Sequence, residues 1–232
     1  MMNRFTRLQL NALILLLITI PVIGQKAENP QEKEVAYTKV ITQRAAKIAL
    51  FLGLTDSTKT KLVTDVIANQ YRSLSEIHDA RNTKVKAIKA DSTKNKAEKD
   101  TMIKRLDTER DAKISKLHGE YLSKLSKELT QEQIVKVKDG MTSGKVQFTY
   151  GGYIQMIPSL TDVQKKQIMD WLVEAREIAM DGESSEKKTA VFGKYKGRIA
   201  NYLSAQGYDL KKEGEEWNKR IKAAEADSTK KK

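Results

Sequence analysis

The sequence contains no cysteine and only three prolines in 232 residues. Without cysteine the chain can form no disulfide framework, no thiolate metal site and no cysteine nucleophile, and it lacks the residue to which a bacterial lipoprotein anchor is attached. Residues 54–118 contain neither glycine nor proline. A β-sandwich or a β-propeller needs turn residues at much shorter intervals, so both architectures are excluded.

The common catalytic motifs are also missing: there is no glycine-rich phosphate loop, no HExxH and no GxSxG. We therefore name no catalytic residue, no metal ligand and no cofactor, and an enzyme of unknown reaction stays only an alternative. Lys and Arg number 43 against 30 Asp and Glu, which gives a formal net charge of +13. This excess of positive charge favours acidic partners.

The first 24 residues have the three-part pattern of a secretory signal peptide. Arg4 and Arg7 precede an apolar run over residues 12–20, and Gly24 supplies a small residue for cleavage. The run is shorter than the roughly 20 residues that a membrane-spanning helix needs. We predict cleavage near Gly24 and a periplasmic or secreted mature protein without a transmembrane segment, which would not meet nucleic acid in vivo.

The remaining chain has helical periodicity over most of its length. We predict a flexible leader over residues 25–33, one helical domain over 34–226 and a disordered tail over 227–232. The domain divides into a helical hairpin at 55–128 and a compact half of shorter helices at 129–226. The predicted fold class is mostly α, with helix over more than about 60 % of the mature chain, against an ordinary share of about a third.

The hairpin is predicted from two matched seams whose residues alternate in spacing between four and three. The seams are Ile67, Tyr71, Leu74, His78, Arg81, Val85 and Ile88, and then Ile103, Leu106, Arg110, Ile114, Leu117, Tyr121 and Leu125. Residues 91–100 have no apolar side chain larger than alanine and are predicted to form the turn. His78 and His118 would face each other if the turn were centred at residue 98, and would lie apart if it were centred near 95.

Two helix starts in the second half carry a capping box, with Thr130 and Gln133 in the first and Thr161 and Gln164 in the second. The predicted helices cover 131–141, 162–181, about 184–206 and a last segment that follows Asp209. Residues 142–158 contain three glycines and an alternating apolar pattern. This pattern predicts either a short strand pair or a structured loop.

The candidate binding surface combines cations and aromatic residues near the C-terminus. Lys187, Lys194 and Arg198 fall on one helix face. Cations bind carboxylates and aromatic faces stack on sugars, so an acidic polysaccharide such as a uronate polymer fits this composition. The alternative is that the aromatic residues pack in the core and the lysines form a solvated face. The candidate residues are Lys194, Tyr195, Lys196, Arg198, Tyr202, Tyr208 and Trp217.

The capping boxes Leu129–Gln133 and Leu160–Gln164, on a basic exported chain, resemble those of Spy/CpxP-type periplasmic proteins. A second resemblance extends over nearly the whole mature chain, to an exported family found mainly in Bacteroidetes and known only as a domain of unknown function, number 3826. The segments that carry it are 37–44 (YTKVITQR), 77–81 (IHDAR), 136–142 (KVKDGMT), 171–180 (WLVEAREIAM) and 192–210 (FGKYKGRIANYLSAQGYDL).

The second family is often encoded near polysaccharide-degradation genes and has no established activity. The resemblance therefore implies an exported protein encoded near polysaccharide-degradation genes, and it implies no catalytic or binding residues. Two functions follow as hypotheses: a non-catalytic accessory or binding protein linked to polysaccharide use, or a Spy/CpxP-like chaperone whose partners are envelope proteins.

Overall fold

The computed structural model describes residues 29–230, and helices make up 83 % of this part. No strand occurs in it, which confirms the predicted mostly α fold class. The predicted signal peptide lies outside the described residues. The helices are α1 (Pro30–Leu50), α2 (Ser57–Ala90), α3 (Lys96–Ser126), α4 (Gln131–Met141), α5 (Lys145–Met156), α6 (Asp162–Ala179), α7 (Ser185–Ala205) and α8 (Leu210–Lys230). None of these described helices is both long enough and apolar enough to cross a membrane.

Helices α2 and α3 form the predicted hairpin. Every predicted seam residue is buried or half-buried, so the spacing of four and three residues identified the packed faces correctly. The turn is shorter than predicted, because Asn95 and Glu98 form a capping box that starts α3 at Lys96. At 1.5 Å per residue, the 34 residues of α2 give an arm of about 50 Å.

The two seam arginines share one acid, Asp107 of α3. Arg81 of α2 lies 2.7 Å from the carboxylate of Asp107 on α3, and Arg110 lies 2.9 Å from the same carboxylate. All three side chains are partly shielded from solvent. The shared aspartate allows two arginines to occupy seam positions that a regular hairpin would fill with leucine or isoleucine.

A first apolar core forms where α1 and α4 pack on the base of the hairpin. Helix α1 begins at Pro30, four residues before the predicted start, because Asn29 caps it and proline is favoured in a first turn. Helix α4 has the predicted bounds and the predicted capping box of Thr130 and Gln133. The buried members of this core include Ile41, Ala45, Ile48, Val63, Ile67, Tyr121, Leu125, Ile134 and Val137.

A second apolar core joins α5, α6 and α7, with α8 packed against α5 and α7. Helix α6 starts at the predicted box of Thr161 and Gln164, and Asp209 caps α8 as expected through the backbone N–H groups of Lys211 and Lys212. Met180, just after α6, is fully buried in the first core and so links the two. The main buried residues are Ile157, Ile168, Leu172, Ala175, Phe192, Ile199 and Leu203.

The prediction of strands or a loop over residues 142–158 is wrong, because most of this segment forms α5. Its glycines and β-branched residues disfavour a helix locally. The apolar side chains at 146, 150, 153 and 157 nevertheless recur at helical spacing and pack into the second core. Burial of this face outweighs the weak intrinsic propensity, which is a common outcome in folded proteins.

We expect Gly151→Ala and Gly152→Ala to stabilise the protein. Both glycines lie inside α5, and a Cβ atom at either position would meet no other atom within 4 Å. Alanine in a helix interior is favoured over glycine by roughly 0.5–1 kcal/mol, so the free energy of unfolding should rise by about that amount for each change. Urea unfolding followed by circular dichroism measures it.

Gly144→Ala is the matched control for this prediction. Gly144 precedes α5 with a φ of +65°, in the left-handed region that alanine rarely adopts. The control should therefore lose stability. Loss of stability in the two helix-interior variants as well would contradict the helical assignment of α5.

Candidate functional site

Polar contacts between the hairpin and the second half of the chain converge on Asp181, in the turn between α6 and α7. The Nε2 atom of His78 on α2 lies 3.0 Å from the backbone oxygen of Asp181, and the Nδ1 atom of His118 on α3 lies 2.7 Å from its carboxylate. Because a carbonyl oxygen and a carboxylate only accept hydrogen bonds, both ring nitrogens donate. Asp181 therefore joins both arms of the hairpin to the second half.

The two histidines do not oppose each other across the hairpin. The ion pair of Arg81 with Asp107 centres the turn close to residue 94, near the predicted alternative of 95 rather than 98, and so places His78 near the level of Arg110. Each histidine instead donates a hydrogen bond to Asp181, a turn residue of the second half of the chain. No group of three or more His, Asp or Glu residues that could hold a metal ion occurs between residues 29 and 230.

His118 lies among charged groups from three directions. Its Nε2 atom is 3.8 Å from Glu177 of α6, and Glu177 pairs with Lys138 of α4 at 2.6 Å. The hydrogen bond to Asp181 raises the pKa of His118 above its ordinary value of 6.5, although burial and the charge of Lys138 act in the opposite direction. The arrangement thus favours the protonated imidazolium.

A buried arginine continues this polar network. Arg176 of α6 is 5 % exposed and donates to the carboxylate of Asp139 on α4 at 2.8 Å. Sequence reasoning assigned no role to Arg176, yet it falls four residues after Leu172 and eight after Ile168, within the apolar stripe of α6. A charged residue within an apolar stripe indicates a buried, paired charge, so the role of Arg176 could have been predicted from the sequence.

A cleft of about 840 Å³ opens beside this network, between the hairpin and α7. Its hairpin wall contains Arg81 and Arg110, whose charges are balanced by Asp107 and Asp111. Its α7 wall contains Lys187 and Lys194, which pair with no acid in the described part of the chain. We call this space the histidine cleft and define it by His78, Arg110, His118, Asp181, Lys187 and Lys194.

Three more of the sequence-derived candidates lie on the same side of α7 as Lys194. The guanidinium of Arg198 lies 4.5 Å above the ring of Trp171 and 3.5 Å from Glu174. Tyr195 is half-buried, and burial and a hydrogen bond with Glu174 raise the pKa of its hydroxyl. Tyr202 packs edge-on against Trp171 with 5.2 Å between ring centroids. These residues extend the α7 wall beyond the cleft.

The other three candidates lie elsewhere. Lys196 is two residues from Lys194, which places it about 200° around the helix, and its backbone oxygen accepts from Tyr153 of α5. The hydroxyl of Tyr208 donates to the backbone oxygen of Ser159, and Trp217 is half-buried on α8. The seven candidates therefore do not form one continuous surface.

Comparison with known proteins identifies the family. A family model described as a protein of unknown function (DUF3826) matches residues 38–223, which run from α1 to α8 and include both cores and the histidine cleft. The chain belongs to this family. A search of curated proteins found no match.

We expect His118 to contribute more to stability at acidic than at alkaline pH. Because the folded-state pKa is raised above 6.5, the contribution is fully present below that value and is lost as the pH rises through the folded pKa. The free energy of unfolding lost in His118→Gln should therefore be larger at pH 5.5 than at pH 8.5. Guanidinium unfolding of both proteins over this range measures the difference.

Asp181→Asn provides the control, since it removes the charge that favours imidazolium while keeping the side-chain shape. In the Asp181→Asn protein, the free energy of unfolding lost in His118→Gln should depend little on pH. The chain has only two histidines, so their proton resonances can also be titrated individually. A His118 resonance that titrates below pH 6.5 would contradict the assignment.

Proposed function

We propose that this member of a family of unknown function is an exported, non-catalytic accessory protein that binds acidic polysaccharide along α7. The observation that carries the proposal is the pair of exposed lysines on the α7 wall of the histidine cleft. Its two hairpin arginines already have acidic partners, whereas Lys187 and Lys194 have none among the described residues. An anionic ligand would supply the missing partners.

The shape of the α7 wall suits an extended ligand. Lys187, Lys194 and Arg198 lie on one side of the helix over 11 residues, a distance of about 16 Å. The wall is open to solvent, and a chain molecule could therefore lie along it without threading through the protein. Spaced cations on an open surface favour a polymer with regularly spaced carboxylates over a single small anion.

An aromatic pair and a stacked arginine lie at the far end of this wall. Trp171 and Tyr202 already pack against each other, and Arg198 lies over the indole. The ion pair of Arg198 with Glu174 is half-exposed, so exchanging it for a ligand carboxylate costs little. Arg198 could then bind the polymer while remaining stacked on Trp171.

Export is supported by the signal-peptide pattern of the first 24 residues. A link to polysaccharide use is supported by the polysaccharide-degradation genes near which the family resemblance implies that the protein is encoded. The non-catalytic role is supported by the sequence, which contains no glycine-rich phosphate loop, no HExxH and no GxSxG.

The proposal predicts that the protein is retained on immobilised polygalacturonate at low salt and that Lys187→Gln/Lys194→Gln is retained much less. Each charge-assisted contact contributes about 1.5–3 kcal/mol when it is desolvated, and less on an open surface. Both lysines are exposed, so the free energy of unfolding should change by no more than about 0.5 kcal/mol. The salt concentration at elution measures the loss.

Lys211→Gln/Lys212→Gln is the matched control. It removes the same charge from exposed positions on α8, outside the histidine cleft. Earlier elution of both double variants by the same amount would show that net charge alone determines retention. Failure of the unmodified protein to bind would overturn the proposal directly.

A chaperone of the Spy/CpxP type is the second candidate, and exposed apolar side chains favour it. Leu50 is 76 % exposed, the adjacent Phe51 is 81 % exposed, and Phe148 on α5 is 84 % exposed. Exposed apolar surface of this kind can bind unfolded clients. Suppression of client aggregation that is lost in Leu50→Ser/Phe51→Ser and kept in Lys187→Gln/Lys194→Gln would favour this function over polysaccharide binding.

A further inference from the structure

A second cleft, of about 740 Å³, opens between α1, α4 and the start of α7. Four cationic side chains line it: Arg44 and Lys47 from α1, Lys136 from α4 and Lys188 from α7. We call it the basic cleft and define it by these four residues. It shares no lining residue with the histidine cleft, so binding in one cleft is independent of binding in the other.

Within residues 29–230, no ion pair balances the four cations of the basic cleft. The one carboxylate among the cleft's lining residues is Asp139, and that group is already held by Arg176 at 2.8 Å. Arg44, Lys47 and Lys136 make no ion pair with any residue that the structure describes. Like charges repel when they share one cleft, so this arrangement favours an anion between them.

Lys188 is the half-buried cation of the basic cleft. Its ammonium group donates to the backbone oxygens of Met141 and Met180 at 3.1 and 3.2 Å and lies 5.3 Å from the centroid of the Tyr71 ring. An ammonium group has three donors, so these two hydrogen bonds leave one. Burial lowers the pKa of Lys188 to about 8; the negative charge of Asp181 acts against this shift, and the neighbouring charge of Arg44 adds to it.

The rest of the lining is apolar and includes an aromatic ring at the edge of the cleft. Ile48 and Met141 are buried beneath it, and Phe51 is 81 % exposed beside it. A small-molecule site commonly combines such an apolar wall with a few convergent polar groups, and its volume commonly lies between about 300 and 1,000 Å³. The basic cleft therefore fits a small molecule that is charged at one end and flat or apolar at the other.

We propose that the basic cleft binds a phosphate monoester of a small aromatic or apolar molecule. A phosphate monoester carries a charge of about −1.5 to −2 at neutral pH, which matches a cluster of cations better than a singly charged carboxylate does. Lysines bind phosphate as point charges and arginine binds it through two parallel hydrogen bonds. The aromatic or apolar group would lie against Phe51 and Ile48.

Phenyl phosphate is the probe, titrated into the protein by calorimetry at pH 7 and constant ionic strength. We expect saturable binding at one site and affinity at least about tenfold lower in Arg44→Gln and in Lys136→Gln, since each change removes one charge-assisted contact. Both positions are exposed, so both variants should fold as the unmodified protein does. Lys84→Gln, exposed on the hairpin arm, removes the same charge far from the cleft and should bind within about twofold of the unmodified protein.

Three further probes identify the part of the ligand that is recognised. Phenyl sulfate and benzoate should bind more weakly than phenyl phosphate because they carry less charge. Inorganic phosphate should also bind more weakly than phenyl phosphate, because it has no ring to lie against Phe51. In Phe51→Ser, the affinities for phenyl phosphate and inorganic phosphate should therefore become nearly equal. The proposal is overturned if phenyl phosphate does not bind, if Lys84→Gln lowers affinity as much as the cleft variants do, or if benzoate binds as tightly as the phosphate.

Discussion

The contact of Asp181 with the two histidines determines how the halves of the molecule meet. One residue of the α6–α7 turn accepts a hydrogen bond from each arm of the hairpin, through its backbone oxygen and its carboxylate. An unpaired buried donor or acceptor is costly. These two hydrogen bonds satisfy the backbone oxygen and Oδ2 of Asp181, whereas its buried Oδ1 has no partner among the described residues. The start of α7 is thereby fixed against α2 and α3, and both clefts depend on its position.

The network around Asp181 sets geometry more than it adds net stability. Replacing a buried ion pair by apolar residues is often neutral or stabilising, whereas removing only one partner typically costs about 3–5 kcal/mol. Arg176 with Asp139 and Lys138 with Glu177 both connect α6 to α4, so they join the second core to the first at two adjacent residues of each helix. Apolar contacts alone are less directional, and the ion pairs define which residues of α4 and α6 lie opposite each other.

Local features of this fold could be predicted from the sequence, and long-range ones could not. The hairpin seams and the boxes at Thr130 and Thr161 depend on residues within one or two turns, and the structure confirms them. The turn of the hairpin lies within the predicted residues 91–100 but is shorter, because Asn95 and Glu98 form a capping box that starts α3 at Lys96. Helix α5 was missed because packing against α6 and α8 outweighs its glycines, and Asp181 was missed because a loop residue has no periodicity to reveal it.

The first turn of α7 separates two sites with different chemistry. Consecutive residues of a helix point about 100° apart, so Lys187 faces the histidine cleft while Lys188 faces the basic cleft. Lys187 is exposed and unpaired among the described residues, whereas Lys188 is half-buried and held by two backbone oxygens. An exposed ammonium group exchanges partners readily and suits a polymer that binds through many weak contacts, whereas one held in place by the backbone is preoriented and suits a single compact anion. The same helix can therefore serve both sites because its adjacent lysines differ in burial.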